Sequence, residues 1–491
     1  MQQGTRFKIH SSIVPLGIGI GFVAGNIIAL SFSWILSSFF FICIAMGLII
    51  LSILISSYPR IVFSLLSGLL LGLSRAGAIV RDQNIAATLV GRDFIFSATV
   101  SEKPEFKKNQ TYLKIRGIQY NYTTNIINSQ AYAILSGEHK SINRSDIITF
   151  RGSPQPGFGN YVFSIYHPQL IAVSKPSPPD YALIIRDHFV WNTRRWLGNN
   201  DSSNLALGFL MGEKSLSNQL KERLKIVGLS HVVVASGFCL SILVEFARKI
   251  AGKLSRFAGY FFAFVLISVF IIMTGFSPSL IRAGIVSVVS LFASYYCRKF
   301  HPGRLLVYTA ALSVLIRPTL IADLAWQLSF LSFAGILLIT PVLQAYFYGK
   351  KPPGWLASMV FATISAQLAC LPLSVYTFGQ FSIISLVSNI LITPLIPIIM
   401  ALTFIIGICQ FRFLPLVFIN QLFLSYQNSV IGRFSDIKWA TVNVPPKIPF
   451  VFLAYIPIIL IIYALKRRTA YSYRPELALD KSPKYGKIYS C

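Results

Sequence analysis

Long apolar runs alternate with one polar, patterned stretch along this chain. Runs approaching or exceeding the roughly 20 residues that a membrane helix needs recur over most of its length. They lie at about 12–30, 33–56 and 61–74, and again at 231–249, 256–274, 279–297, 304–316, 324–346, 355–376, 382–409, 413–432 and 449–465. This pattern predicts a polytopic α-helical membrane protein with about 10–12 transmembrane helices. Pro394 and Pro397 interrupt the run 382–409, and interrupted segments often line a polar cavity.

Between Val80 and Lys175 the sequence pattern changes to short stretches in which apolar and polar residues alternate. This period of two residues, divided by Gly, Pro and Asn, predicts about five β-strands. About five strands in about 95 residues favour a small β-barrel of the OB type, with a generic β-sandwich as the alternative. The proline-rich stretch 174–179 predicts a stiff linker back to the membrane.

Residues 180–227 have a helical pattern but no run that spans a membrane. Trp191 and Trp196 lie among Arg and aliphatic residues, a mixture typical of helices at the bilayer surface. The amphipathic stretch 217–226 begins with Ser217, a good N-cap residue, and Gly228 can end it. We therefore predict interfacial helices in this region.

Five regions follow from these patterns. We predict N-terminal transmembrane helices at 1–78, an OB-like soluble β-domain at 79–175, a linker with interfacial amphipathic helices at 176–230, a second transmembrane domain at 231–465 and a basic tail at 466–491. Basic residues flanking the helices, among them Arg60 and the run 466–468, obey the positive-inside rule if both termini are cytoplasmic. The β-domain would then lie outside the cytoplasmic (inner) membrane.

Composition narrows the class of protein. Hydrophobic residues make up 54% of the 491 residues and charged residues 12%, about half the share of an ordinary soluble domain. This excludes a typical soluble enzyme and a disordered chain. Lys and Arg number 44 against 16 Asp and Glu, a net charge of +28. Part of this excess serves topology, and the remainder favours an anionic partner, of which membrane lipid is the simplest.

Polar side chains inside the apolar runs are the first candidates for function. Arg282 stands out, because an Arg at the centre of a membrane helix costs about 2.5–3.5 kcal/mol and should face protein or water. The others are His231, Glu245, Gln327, Gln367 and Asn389. For Gln and Asn, interhelical hydrogen bonds that fix packing are the simpler interpretation. For Arg282, a role at an anionic path or in a buried ion pair has at least as much support as this packing interpretation.

The candidate catalytic motifs in this sequence are incomplete. Residues 212–215 end like a phosphate-binding loop, but Glu213 separates the required Gly and Lys. His231 and Ser236 are five residues apart, which leaves them about 140° apart around a helix axis, so they cannot pair directly. The six His lie far apart in sequence and the six Cys form no C-x-x-C pair. We therefore expect no enzyme activity, no metal and no cofactor.

The β-domain carries cations interleaved with aromatic residues. The candidates are Lys103, Lys107, Lys108, Lys114, Arg116 and Tyr112. On a small barrel, this combination suits the binding of single-stranded DNA by charge and stacking. An ordinary solvated face of a β-domain is the competing interpretation.

Four sequence blocks, in order, resemble the ComEC-type competence channels, which carry transforming DNA across the cytoplasmic membrane. The first is ALGFLMGEKS at 206–215 with GLSHVVVASG at 228–237; the others are TGFSPSLIRA at 274–283, WQLSFLSFAG at 326–335, and FGQFS at 378–382 followed by NILITPLIP at 389–397. The N-terminal layout of helices followed by an OB-like domain is similar too. The resemblance covers nearly all of 10–465.

The resemblance implies a channel for single-stranded transforming DNA, with 231–465 as the channel domain. Carried onto this chain, it implies a DNA path through Arg282, His231, Ser236, Gln327 and Asn389. The implied partners are single-stranded DNA, membrane lipids, a separate DNA receptor and a cytoplasmic ATP-driven translocase. Many relatives also carry a C-terminal metallo-β-lactamase-like domain, and for this chain we expect that the nuclease is either a separate protein or missing.

One position departs from the family pattern. Where relatives continue with a His two residues after the Ser-Gly pair, this chain has Cys239, so the role of that His is lost or replaced. The main alternative function is a membrane-embedded assembly or export factor that uses its β-domain as a docking module. A small-solute transporter would predict an internal repeat of helices, and none is evident.

Overall fold

A computed structural model describes most of the chain. The described residues are 13–32, 39–55, 58–102, 104–107, 109–121, 126–158, 161–176, 180–211, 216–229, 240, 244, 255–274, 278–296, 302–349, 351, 353–408, 414–437, 439–443 and 448–468. The chain forms two compact units. The first comprises Met1–Ile184 and Val307–Asp323, and the second comprises Ile185–Leu306 and Leu324–Cys491.

The described part of the chain is mostly helical, and five of its helices are long and apolar enough to cross a membrane. These are Ile13–Phe32, Pro59–Leu89, Leu324–Tyr348, Ala357–Phe378 and Ser385–Ile408. Four shorter apolar helices accompany them, at Phe40–Leu54, Phe257–Ile272, Leu280–Tyr295 and Gly303–Ile316. The helical class is confirmed, whereas the count of ten to twelve spanning helices stays a prediction.

The first unit begins with three helices, α1 (Ile13–Phe32), α2 (Phe39–Leu54) and α3 (Pro59–Leu89). Of these, α1 and α3 pack closely against each other. Gly21 and Gly25 of α1 face the backbone of α3 so closely that any Cβ there would overlap the carbonyls of Leu65 and Leu69. Small residues spaced four apart let helix backbones approach in this way.

Helix α3 is longer than the sequence pattern predicted. It runs past the predicted boundary at 78, and its last two turns leave the apolar run. Ala86 and Leu89 are buried in the hydrophobic core of the β-domain. The end of the helix is therefore part of that core, and the first strand begins only at Phe94.

A single sheet forms the β-domain. Its strands are β1 (Phe94–Val100), β2 (Glu105–Lys107), β3 (Gln110–Tyr120), β4 (Ile126–Ile127), β5 (Ala131–Ser136), β6 (Ile147–Gly152), β7 (Pro154–Pro156), β8 (Phe163–Tyr166) and β9 (Gln169–Ser174). The strand order is β7-β8-β5-β3-β1-β6-β9, with β2 and β4 paired to β3. All described pairs are antiparallel except β5–β8. The sheet is curled into a half-barrel, so a small β-domain is confirmed and its OB-like closure stays a prediction.

Aromatic packing fills the concave core of this sheet. Phe96 lies 5.7 Å, centroid to centroid, from both Phe150 and Phe163, and all three side chains are fully buried. Burial of each such ring contributes about 1.5–3 kcal/mol. The core therefore depends on β1, β6 and β8 together.

A buried carboxylate joins α3 to the loop before β5. Asp82 Oδ2 accepts hydrogen bonds from the backbone N–H of Asn128 (3.1 Å) and Ser129 (3.0 Å) and from Ser129 Oγ (2.9 Å). The guanidinium of Arg317 donates to the side chain of Gln130, the next residue of the same loop. The loop 128–130 is thus held from two sides within the first unit.

The same unit contains a second anchored carboxylate, Asp180. It accepts from Arg144 Nε at 2.9 Å, from Ser145 Oγ at 2.8 Å and from the Leu183 N–H at 3.1 Å. Burial by itself raises the pKa of Asp180, but the hydrogen bonds from Ser145, Leu183 and Arg144 and the Arg144 charge outweigh it and hold this pKa below its usual range.

The remaining elements are mostly helices. They are α4 (Tyr181–Leu197), α5 (Asp201–Met211), α6 (Asn218–Ile226), α7 (Arg256–Thr274), α8 (Pro278–Tyr295), α9 (Pro302–Ile316), α10 (Leu324–Leu338), α11 (Thr340–Tyr348), α12 (Trp355–Phe378), β10 (Gln380–Ser382), α13 (Ser385–Ile392), α14 (Ile396–Ile408), α15 (Leu414–Ser435), β11 (Thr441–Asn443) and α16 (Ile448–Arg468), with short 3₁₀ helices at Pro318–Ala322 and Thr393–Leu395. β10 and β11 form a small antiparallel sheet.

Two local predictions in this region are confirmed. Ser217 caps α6, because its Oγ accepts the N–H of Leu220 at 3.2 Å, and Gly228 follows the helix with a φ of +76°. The break at Pro394 is a 3₁₀ turn between α13 and α14, since proline cannot donate the helical hydrogen bond.

Replacing Asp82 with Ala should loosen the loop 128–130. The N–H groups of Asn128 and Ser129 lose their acceptor, and a hydrogen bond to a charged group contributes about 1.5–3 kcal/mol. Hydrogen exchange of the full-length protein in detergent should show faster exchange at these two amides. Asp93→Ala is the control, because Asp93 forms a surface ion pair with Arg151, which is worth only about 0.2–1 kcal/mol. Unchanged exchange in Asp82→Ala would contradict this anchoring role.

Asp180 should make stability depend on pH. Because its pKa is depressed in the folded state, its contribution is complete above the unfolded value of about 3.9 and is lost as pH falls through the lower folded value. Asp180→Asn should therefore be less stable than the unsubstituted protein at pH 6, and the difference should shrink below about pH 4. Denaturant unfolding in detergent at several pH values measures it; a difference that grew on acidification would have the wrong sign.

Candidate functional site

The predicted DNA-binding residues of β3 share one face of the β-domain. Tyr112, Lys114 and Arg116 alternate with the buried residues Thr111, Leu113 and Ile115, as a strand with one face toward a core requires. The three side chains therefore lie on the convex side of the sheet, away from its core. Arg116 is exposed there.

The structure gives less information on the other predicted lysines. Lys107 is the last residue of β2, where it pairs with Gln110. Lys103 and Lys108 lie outside the described residues. Their part in binding stays a prediction.

Lys114 is engaged in an ion pair. Its Nζ lies 2.8 Å from Glu102 Oε2, and the two side chains are 26% and 32% exposed. A neighbouring carboxylate partly cancels the field of the lysine toward an anionic ligand. Lys114 is thus a weaker phosphate contact than its position alone indicates.

The structure adds three rings that the sequence analysis missed. Tyr132 lies 6.1 Å from Tyr112, 5.3 Å from Phe158 and 5.1 Å from Tyr161, centroid to centroid. The alternation in β5 indicates that Tyr132 faces the convex side, between buried Ala131 and Ala133. No local pattern brings Phe158 and Tyr161 to it, because their approach depends on the parallel pairing of β5 with β8.

In the second unit, Arg282 lies on α8 and points toward α10. Its Cζ is 5.9 Å from the centroid of the Phe333 ring, a cation–π distance. Its Nε is buried without a hydrogen-bond partner among the described residues. An Arg in an apolar helix therefore retains unused donor capacity, which suits a group that meets an anion transiently.

The other predicted path residues have different surroundings. Gln327 is partly buried on α10, the helix that also carries Phe333. Asn389 is buried, and its Nδ2 donates to the carbonyl of Ser385 one turn earlier at 2.8 Å. This bond supports the packing interpretation for Asn389. His231 and Ser236 lie outside the described residues.

Asn389 belongs to a group of polar residues at the end of α6. Ser388 Oγ donates to the carbonyl of Val227 at 2.8 Å, and Gln367 Nε2 donates to Ser385 Oγ at 3.3 Å. Gly228 packs against Ser385. The first sequence block, which includes Gly228, and the last, which includes Asn389, thus meet in the fold although about 160 residues separate them.

Metal chemistry was not expected from the sequence. Within the described ranges, no group of three or more His, Cys, Asp and Glu side chains could hold a metal ion.

Replacing Gly228 with Ala should destabilise the protein more than the same replacement at a glycine that has a similar φ but open space around it. An added Cβ would overlap Ser385 Cβ, at a φ that disfavours side chains. Gly91→Ala is the control, since Gly91 has nearly the same φ, +79°, but open space around its Cβ position. We expect Gly228→Ala to unfold earlier in denaturant, by more than the ~1 kcal/mol of strain that both variants share. Equal midpoints would show that the contact with Ser385 is unimportant.

Comparison with known proteins places residues 209–469 in one family. A family model described as Competence protein matches residues 209–469. The chain is 23% identical over 312 residues to ComE operon protein 3 of Bacillus subtilis (strain 168), a match that covers 60% of this chain and 38% of that protein. The chain thus spans well under half the length of this relative, and no solved structure matches it. Because the family model covers more than half of the 491 residues, the chain belongs to the competence protein family.

Proposed function

We propose that this protein carries single-stranded transforming DNA across the cytoplasmic membrane during natural competence, as the channel component. The observation that carries the proposal is the match of the competence family model over 209–469, the region of α6 to α16. The relative named ComE operon protein 3 supports the same process. As a channel, the chain would supply no covalent chemistry.

A physical constraint favours a protein-lined route. Each nucleotide carries a negative charge, and an unpaired charge in hydrocarbon is prohibitively unfavourable. Arg282 offers a buried cation that is not saturated by hydrogen bonds among the described residues. One such cation attracts a phosphate without forming a tight cage, and conduction requires binding weak enough to release the strand.

The β-domain would collect the strand outside the membrane. Between 91 and 180 it has ten Lys and Arg against six Asp and Glu, so it carries a net positive charge. Positive surfaces attract nucleic acid and raise its local concentration. Tyr112 and exposed Arg116 would contact the strand on the convex face.

The proposed topology has both termini in the cytoplasm and the β-domain outside. The basic residues that flank the helices support it. Arg60 has a second role, since its Nε donates to the Ser52 carbonyl at 2.9 Å and its Nη2 to the Ile53 carbonyl at 3.1 Å. It therefore caps the C-terminal end of α2, where cations are favourable.

The energy for transport would come from partners. We propose a separate DNA receptor, a cytoplasmic ATP-driven translocase and a separate nuclease, with membrane lipids around the helices. Of these partners, only the DNA strand and the lipids would bind through the residues described above.

Arg282→Ala should reduce DNA entry while the protein still inserts. A charge-assisted contact is worth about 1.5–3 kcal/mol, so entry should fall roughly ten- to a hundredfold. Labelled DNA is followed in the host separately at the cell surface and in the cytoplasm. We expect capture at the cell surface to be unchanged while entry into the cytoplasm falls by this factor.

The control is Arg433→Ala, which removes an exposed Arg in the last turn of α15 and should leave entry unchanged. Membrane levels of both variants are compared by immunoblot. Normal entry in Arg282→Ala would refute the path assignment. Normal entry after deletion of the whole gene would refute the channel itself and favour an assembly or export role.

A further inference from the structure

The convex face of the β-domain carries four aromatic rings in mutual contact: Tyr112, Tyr132, Phe158 and Tyr161, which we call the ring cluster. Tyr132 is its centre, with neighbours at 5.1–6.1 Å, and Phe158 and Tyr161 are 5.4 Å apart. Phe158 is 48% exposed. Because the four rings touch one another, they form a continuous aromatic patch, and such patches mark binding surfaces.

The ring cluster is separate from the hydrophobic core. The core lies on the concave side and is built from the opposite residues of the same strands, such as Leu113 and Ala133. Tyr112 and Tyr132 follow the outward period of their strands. None of the four rings belongs to the buried hydrophobic core of the sheet, so a ligand that contacts them would not disturb that core.

The segment that joins β7 to β8 carries two of the rings. Any Cβ at Gly157 would overlap the Tyr161 carbonyl, so only glycine fits at this position. Pro156 pairs with Phe163 at the two ends of the segment. Within it, Phe158 lies edge-on to both Tyr161 and Tyr132.

Charge around the ring cluster is positive but weak. Lys114 lies directly across the β3–β5 pair from Tyr132, yet its ion pair with Glu102 reduces its field. Arg116 follows two residues further along β3 on the same face. Phosphates would therefore be attracted, while most of the affinity would have to come from the rings.

We propose that the ring cluster binds unpaired bases of a single-stranded nucleic acid by stacking, over about two or three nucleotides. The site deepens the proposed function, on which the choice of a DNA strand rests. Every base has an aromatic face, so binding is independent of sequence. In a duplex those faces are stacked on each other, so the cluster discriminates against double strands.

The test uses the full-length protein in detergent micelles and three fluorescent 20-nucleotide probes. They are a thymidine strand, an abasic strand of the same length and charge, and a duplex, each at about 50 and 500 mM salt. We expect the thymidine strand to bind most tightly and to retain measurable binding at high salt. Equal binding of the abasic strand at both salt concentrations would overturn stacking, as would the absence of any strand binding at low salt.

Phe158→Ala should raise the dissociation constant of the thymidine strand by roughly tenfold, the loss of one stacking surface, and leave that of the abasic strand unchanged. Phe158→Trp should restore binding. Tyr181→Ala is the control, because Tyr181 is 65% exposed at the start of α4, outside the sheet. Equal effects of Phe158→Ala and Tyr181→Ala would overturn the assignment.

The outcomes for the site and for the channel are separable. If Phe158→Ala binds as tightly as the unsubstituted protein while Arg282→Ala blocks entry, the site fails and the channel stands. If the cluster binds strands as expected but deletion of the gene leaves entry unchanged, the channel fails and the site stands.

Discussion

Polar groups on apolar helices must find partners within the protein, and this constraint organises each of the two units. Asn26 Nδ2 donates to the Phe22 carbonyl of its own helix, and Asn420 Nδ2 donates to Thr403 Oγ1 on the neighbouring helix. An unsatisfied polar group in hydrocarbon costs several kcal/mol. At the glycine contacts between α1 and α3, the two backbones are so close that no room is left for lipid or water.

Arg282 differs from the side chains that bond within their own helix, and it is the residue of greatest functional interest in the second unit. Most buried polar side chains of the described helices bond locally, as Asn389 and Ser388 do. Arg282 instead directs its guanidinium at the face of Phe333. A cation held by an aromatic face keeps donors available, whereas a cation locked in a salt bridge would not.

The two faces of the β-domain carry different residues. Its concave side contains the phenylalanine core and the end of α3, and Asp82 ties the loop before β5 to that helix. Among the described residues, its convex side contains Lys114, Arg116 and the ring cluster. Because strand side chains alternate, each strand supplies residues to both faces. In the proposed site, the ion pair of Lys114 with Glu102 leaves stacking as the larger contribution.

Local features of this protein were determined by its sequence alone. The apolar runs gave the membrane-length helices, Ser217 marked a helix start, Pro394 marked a break, and four blocks indicated the competence family, because each is encoded by neighbours in the chain. Tertiary structure alone decided the rest. The ring cluster depends on the pairing between β5 and β8. The ion pair of Lys114 depends on the approach of Glu102. Val307–Asp323 belongs to the first unit because α9 packs against α1 and α3. Such contacts join residues distant in sequence, and periodicity carries no information about which distant partners meet.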